Sequence, residues 1–181
     1  MIAAALLACA PNVAPATLEA VVRVESGGDP LTLHVNGLRV QPPPAKNATE
    51  AAHMAESYIQ RGYSVDLGLM QVNSRNLVAF GTTVDRVLAP CTNIRIGAAI
   101  LTAEYVAAMR SRGAGQAALQ AALSAYNSGN FARGFTNGYV ARYVGPEGAR
   151  TAAHVAPASR PNPYIADTAI YVREASHVRI D

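Results

Sequence analysis

The sequence predicts a mainly helical, α+β domain carrying a small β-hairpin. Helical periodicity recurs along the chain, alternation of apolar and polar residues is confined to one stretch, and half of the 181 residues are hydrophobic while 15% are charged. That balance suits a packed globular chain and argues against one that is disordered or that coats nucleic acid. The length buries a full core without needing to split. The fifteen Lys and Arg are almost all Arg and are scattered singly. A net charge of +3 therefore forms no basic run of the kind that tracks a nucleic-acid backbone. No run approaches the roughly 18 apolar residues of a membrane span.

Each element has its own local reason. The opening MIAAALLACA resembles the end of a signal h-region and echoes a lipobox before Cys9, without a positive n-region, so it reads as a truncated or ambiguous export signal. A first helix begins near Pro15, a residue suited to the first helical turn, and Leu18, Val21 and Val22 follow the i, i+3, i+4 pattern. Gly27 and Gly28 end it. LTLHVNGLRVQ alternates on both sides of Asn36-Gly37, which predicts a hairpin closed by Pro42 to Pro44. Asn47 with Glu50 three residues later caps a helix from about Ala48 to Arg61, stopped by Gly62. Tyr63 to Asn76 mixes turn residues with apolar ones and reads as a loop. Cys91 to Arg112 is the central core helix, with Ile96, Ile100, Leu101 and Tyr105 near helical spacing. Further helices are expected at about Gln116 to Tyr126 and around Thr136 to Val144. The domain then spans 1–145, and 146–181 is a Pro- and Ala-rich linker and tail.

Two cysteines, Cys9 and Cys91, lie far apart and have no Cys or His at metal-ligand spacing. They are either a disulfide, which would place the protein outside the cytoplasm, or two buried thiols.

The chemically pointed residue is Glu25. It continues the apolar series of the first helix at i+7, so it lies along the buried face, and it falls near the helix C-terminus. Desolvation and the negative end of the helix dipole both favour the neutral acid. A carboxylic acid that stays protonated near neutral pH is what general-acid cleavage of a glycosidic bond requires. The alternative at this point is a helix-end glutamate that reaches solvent.

Three other pieces bear on that choice. Glu25-Ser26-Gly27, Gly68-Leu69-Met70-Gln71 continued by Val72 and Asn73, Ala125-Tyr126-Asn127, and Tyr139-Val140 occur in this order. Together they resemble the motifs of the lytic transglycosylases with a goose-type lysozyme-like (SLT) domain, especially the peptidoglycan-cleaving members associated with type IV secretion. The resemblance implies a lysozyme-like helical fold and a catalytic Glu25 that protonates the oxygen between N-acetylmuramic acid and N-acetylglucosamine. It implies that the ionised Glu25 then helps the muramic C6 hydroxyl attack C1, giving a 1,6-anhydro product. Gln71 would bind sugar at its acetamido group. Tyr126 and Asn127 would hold Glu25 or the developing oxocarbenium ion, and Met70 would form apolar floor. Ser26, Gly68, Leu69, Asn73 and Tyr139 complete the implied substrate-binding set. The resemblance implies no cofactor and no metal, a monomer in the periplasm or cell envelope, peptidoglycan strands as substrate and secretion-system components as possible partners.

Ordinary glycosidases use two carboxylates, and Asp66 and Asp29 are the candidates for a second. Asp29 lies in a Gly-Asp-Pro turn, and Asp66 precedes the Gly-Leu motif, where orienting the loop is the expected role. A muramidase using water, and a wall-binding assembly protein without activity, are the competing readings. Glu50 with His53, and Glu174 with His177, repeat the Glu-x-x-His of di-iron bundles, without paired long helices to supply the other ligands.

Overall fold

The computed structural model describes residues 4–144. The expected linker and tail, including Glu174 and His177, lie outside the described residues. Within them the chain forms two compact units, one of residues up to Ala10 with Leu18–Gly97, the other of Pro11–Thr17 with the chain from Ala98 onward. The structure is mainly helical with one small antiparallel sheet. No helix among the described residues is long and apolar enough to cross a membrane.

The first unit opens with a single turn, α1 (Ala4–Leu7), and receives most of α2 (Pro15–Ser26). Leu18, Val21 and Val22 are buried, as the apolar period requires, and Gly27 and Gly28 stop the helix in left-handed conformations. Helix α3 (Ala48–Gln60) starts at a reciprocal cap. The Asn47 side chain accepts from the Glu50 amide at 2.9 Å, and the Glu50 carboxylate accepts from the Lys46 amide at 2.7 Å. That use of Glu50 belongs to the helix end, and His53 is exposed. A short 3₁₀ turn (Ser74–Asn76), α4 (Val84–Val87) and the first turns of α5 (Pro90–Arg112) complete the unit.

The sheet corrects the hairpin expected around Asn36-Gly37. β1 (Leu33–Val35) does not pair with the residues that follow it. It pairs with β2 (Val65–Leu67), in the register Leu33 with Leu67 and Val35 with Val65. Asn36-Gly37 does make a turn, closed by the Leu38 amide on the Val35 carbonyl at 3.3 Å, but only Gly37 of the two has positive φ, at 88°. A tight hairpin of the favoured type I′ needs positive φ at both central residues, and the turn found here splays the flanking chain apart. The Gln41 side chain takes the place of the missing strand. Its Oε1 accepts from the Val35 amide at 2.7 Å, and its Nε2 donates to the Val35 carbonyl at 3.0 Å. One primary amide thus satisfies the edge groups that a partner strand would have paired. The true hairpin lies where a loop was expected: β2 turns through residues 68–71 into β3 (Val72–Asn73), with Asp66 opposite Asn73.

The second unit holds the rest of α5, then α6 (Gln116–Ser128) and α7 (Arg133–Thr136). Residues Ala118 to Ala125 of α6 are all buried, and four of these eight are alanine, so much of the helix surface inside the core is small. Tyr105, itself buried, accepts the Gly115 amide at 3.0 Å and so caps the start of α6. The single helix expected around Thr136 to Val144 is broken: α7 ends early, Gly138 turns with φ 81°, and residues 141–144 form a separate helical turn.

Cys9 and Cys91 are joined in a disulfide across 82 residues, which decides between the two readings of the pair. Loop-closure entropy for such a span corresponds to about 4 kcal/mol. Cys9→Ala/Cys91→Ala is therefore expected to lose about 2–4 kcal/mol in urea unfolding, with a steeper slope because the unlinked chain exposes more surface when it unfolds. Equal midpoints for the oxidised and reduced wild-type protein would contradict this.

Candidate active site

Glu25 is the penultimate residue of α2 and is half-buried. Its neighbour Ser26 fastens that helix end to the sheet. The Ser26 hydroxyl lies 2.9 Å from the Leu69 carbonyl and 3.1 Å from the Val22 carbonyl of its own helix, sharing one proton between them. It also accepts from the Gly28 amide at 3.2 Å. The serine of the Glu-Ser-Gly motif thus spans 43 residues of sequence to reach the Gly-Leu-Met-Gln turn.

That turn is a strained object. Gly68 has φ 70°, and Gln71 has φ 47°, the only non-glycine residue with positive φ among those described. Between them Leu69 and Met70 are buried, 4% and 0% exposed. A Cβ on Gly68 would fall 2.5 Å from Asn93 Nδ2, so the position excludes every side chain on space as well as on backbone conformation. Beneath the turn Met70 packs on Gly97 of α5, where a Cβ would meet its Cβ at 2.6 Å and its sulfur at 2.8 Å. Met70 therefore carries the turn from within the core.

The backbone of the turn is pinned at several points. The Gly68 amide donates to the Thr32 carbonyl at 2.9 Å, and the Met70 amide donates to Asn93 Oδ1 at 2.7 Å. The Gln71 side chain folds back over the turn, its Nε2 donating to the Thr32 carbonyl at 3.0 Å and to the Gly68 carbonyl at 2.9 Å. With both protons directed at carbonyls, Oε1 remains as the acceptor of this amide. Asp66 stands below the turn in β2. Its two oxygens accept from Asn73 Nδ2 at 2.6 Å and from Asn36 Nδ2 at 2.9 Å, while Asn73 Oδ1 takes the Arg75 amide at 3.0 Å.

The structure thus brings Glu25, Ser26, Asp66, Gly68, Leu69, Met70, Gln71 and Asn73 together in the first unit. Tyr126, Asn127 and Tyr139 belong to the second. Tyr126 is half-buried at the end of α6, and the exposed Asn127 accepts from Asn137 Nδ2 at 3.2 Å. Tyr139 is buried and shares a hydroxyl contact of 2.8 Å with Tyr143. The loop after Tyr126-Asn127 is held by Ser124, whose hydroxyl donates to the Asn130 carbonyl at 2.6 Å and accepts the Gly134 amide at 2.7 Å.

Sequence reasoning missed Thr32, Asn36, Asn93 and Asn137. Only Asn93 left a usable signal. It shares one stripe of α5 with Gly97 and Leu101, at i, i+4 and i+8, so an uncharged polar residue stands on the buried face of the central helix.

A mainly helical frame, a short antiparallel sheet and an acid at a helix end clasped to the sheet's own turn together describe a lysozyme-like domain. The chain belongs to the transglycosylase SLT domain family, whose model matches residues 3–143. It is 41% identical over 99 residues to protein virB1 of Agrobacterium fabrum, covering 54% of this chain and 39% of that relative. It is equally 41% identical over 93 residues to the type IV secretion system protein virB1 of Brucella abortus biovar 1, covering 51% and 39%. The chain thus spans about two-fifths of the length of the curated relatives it matches. No solved structure matches it.

The geometry around Gly68 makes a sharp prediction. Gly68→Ala combines a left-handed backbone with a contact against a fully buried side chain, and is expected to destabilise by at least about 1–3 kcal/mol. Gly81→Ala, also at positive φ but facing open space, is expected to cost less. Equal unfolding free energies for the two variants would refute the role assigned to the Asn93 contact.

Proposed function

We propose that this chain is a peptidoglycan lytic transglycosylase that cleaves the β-1,4 bond between N-acetylmuramic acid and N-acetylglucosamine. The observation that carries the reading is the clasp between the acid-bearing end of α2 and the Gly68–Gln71 turn. Through Ser26 and the Leu69 carbonyl, Glu25 and Gln71 are held on one rigid assembly, the precondition for presenting an acid and a sugar-binding amide to one substrate.

In this reading Gln71 Oε1 accepts the N–H of an acetamido group, and Glu25 donates its proton to the glycosidic oxygen as the C1–O bond breaks. The resulting Glu25 carboxylate then takes the proton of the muramic C6 hydroxyl while that oxygen bonds to C1. The acid is regenerated, and no water is consumed. Tyr126 and Asn127 supply polar contacts to the sugar or to the positive charge that develops at C1. Met70 and Asp66 act from beneath, by fixing the turn and its strand.

The name of the Brucella relative supports a role in type IV secretion; in this reading, local opening of the glycan mesh lets a secretion or conjugation apparatus cross the envelope. The disulfide supports an oxidising compartment such as the periplasm.

Digestion of purified peptidoglycan followed by mass spectrometry tests the reaction. Muropeptides ending in 1,6-anhydromuramic acid, lighter by one water than hydrolysed ends, are expected, and Glu25→Gln is expected to release none while keeping the wild-type melting temperature. Reducing ends would identify a muramidase instead, and an active Glu25→Gln would remove the central assignment. Gln71→Gly relaxes the strained backbone while deleting the amide. Stability within about 1 kcal/mol of wild type with a KM raised about tenfold or more is the expected split.

A further inference from the structure

Asn93 is completely buried, yet it is polar and sits on the core-facing stripe of α5. Its amide is fully committed to three different segments. Oδ1 accepts the Met70 amide at 2.7 Å, and Nδ2 donates to the Leu67 carbonyl at 2.8 Å and to the Val87 carbonyl at 2.9 Å. Leu67 and Met70 flank Gly68-Leu69, so a single side chain grips the turn on both sides of its glycine. A Cβ on Gly68 would collide with this amide, which means that the grip exists only because residue 68 has no side chain. Val87 ends α4, so the same amide ties the turn to a second helix. Cys91, two residues before Asn93, is bonded to Cys9, and the first turn of α5 is therefore held covalently as well.

We propose that Asn93 is the positioning residue of the sugar-binding turn: it fixes Leu67 and Met70 so that Gln71, held at φ 47°, presents Oε1 to the acetamido group. The inference rests on the reading of Gln71 as a sugar-binding residue. Asn93 touches no substrate and acts through the backbone of the turn. Without it the Met70 amide and two carbonyls lose these three hydrogen bonds together, and the turn loses the anchor that grips it on both sides of Gly68.

A double-mutant cycle separates this role from general stabilisation. Asn93→Ala is expected to lower kcat/KM on peptidoglycan by about 10- to 100-fold per folded molecule, and to add little further loss in a Gln71→Ala background. Full additivity of the two losses would overturn the proposal. Asn93→Asp keeps the acceptor for Met70, but its ionised form turns oxygens toward two carbonyls, whereas its protonated form can donate to one of them. Its activity relative to wild type is therefore expected to recover as pH falls, and a constant ratio would count against the grip.

Because Asn93→Ala can fail to fold, the wild-type protein supplies a second measurement. Titration with tri-N-acetylchitotriose, followed by NMR of side-chain amides, is expected to shift the Asn93 Nδ2 signals along the same saturation curve as those of Gln71. A buried amide cannot touch the sugar, so its shift reports coupling through the turn. Gln71 shifting while Asn93 stays still would overturn the inference. A wild-type protein that neither cleaves peptidoglycan nor binds the sugar would instead defeat the functional reading. In that case hydrogen exchange of Gln71 Nε2 in Asn93→Asp still tests the grip, which fails if exchange is no faster than in wild type.

Discussion

The Gly68–Gln71 turn buries its two middle side chains, and in doing so takes its own backbone out of water. Leu69 and Met70 are almost wholly enclosed, so the polar groups around them must find partners inside the protein. Each one left unpaired would cost about 1–3 kcal/mol. The partners are the Thr32 carbonyl, the Ser26 hydroxyl and the Asn93 amide, which come from the segment after α2, the last residue of α2 and the first turns of α5. Satisfying one short turn therefore sets the position of the helix end that bears Glu25. The sheet register, the missing Cβ at Gly68 and the missing Cβ at Gly97 are conditions for that arrangement.

A comparable device governs the second unit. Ser124 is completely buried in α6 and serves the Asn130 carbonyl and the Gly134 amide, while a Cβ on Gly134 would lie 2.8 Å from its hydroxyl oxygen. Asn130 in turn accepts the Ala132 and Arg133 amides with its own side chain. Short polar side chains, each opposite a glycine, hold irregular chain at a fixed distance from a helix in both units. Such contacts are short in reach, so they transmit position with little slack. A long side chain such as Lys or Glu in the same place would leave the loop several rotamers to choose from.

Helix positions were legible because caps and periodicity act within a few residues. Pro15, the Asn47 and Glu50 pair, and Gly27-Gly28 each mark an end by chemistry that needs no distant partner. The sheet was misread for the opposite reason. Asn36-Gly37 carries a hairpin signal, but whether two strands pair depends on φ at Asn36 and on what else can satisfy Val35, and Gln41 answers that from outside any strand pattern. Gly68-Leu69-Met70-Gln71 read as loop because its strands are only two and three residues long, below the span at which alternation is visible. Among site residues, the spacing that sets Glu25 in series with Leu18, Val21 and Val22 carries it to the penultimate position of α2, where it is half-buried. Thr32 contributes through its backbone carbonyl, which no side-chain pattern can reveal, and Asn93 shows in sequence as a polar residue on the stripe of Gly97 and Leu101, while its three partners lie in other segments.

The commitment of Asp66 bears on which reaction the site supports. A glycosidase with two carboxylates needs the second one free to attack C1 or to activate water. Here both oxygens of Asp66 are taken by primary amides, one from the strand partner Asn73 and one from Asn36. Hydrogen bonds to a carboxylate contribute about 1.5–3 kcal/mol each, so releasing both would add about 3–6 kcal/mol to a barrier. At about 1.4 kcal/mol per tenfold change in rate, that corresponds to roughly two to four orders of magnitude. In the proposed reaction the substrate brings its own nucleophile, the C6 hydroxyl of the muramic ring, and no such release would be required, because Glu25 would perform both proton transfers. The same two amides that bind Asp66 also tie β2 to β3 and to the Asn36 turn. The strand that carries the Gly68–Gln71 turn is thereby stiffened by the carboxylate that a two-acid enzyme would have left exposed.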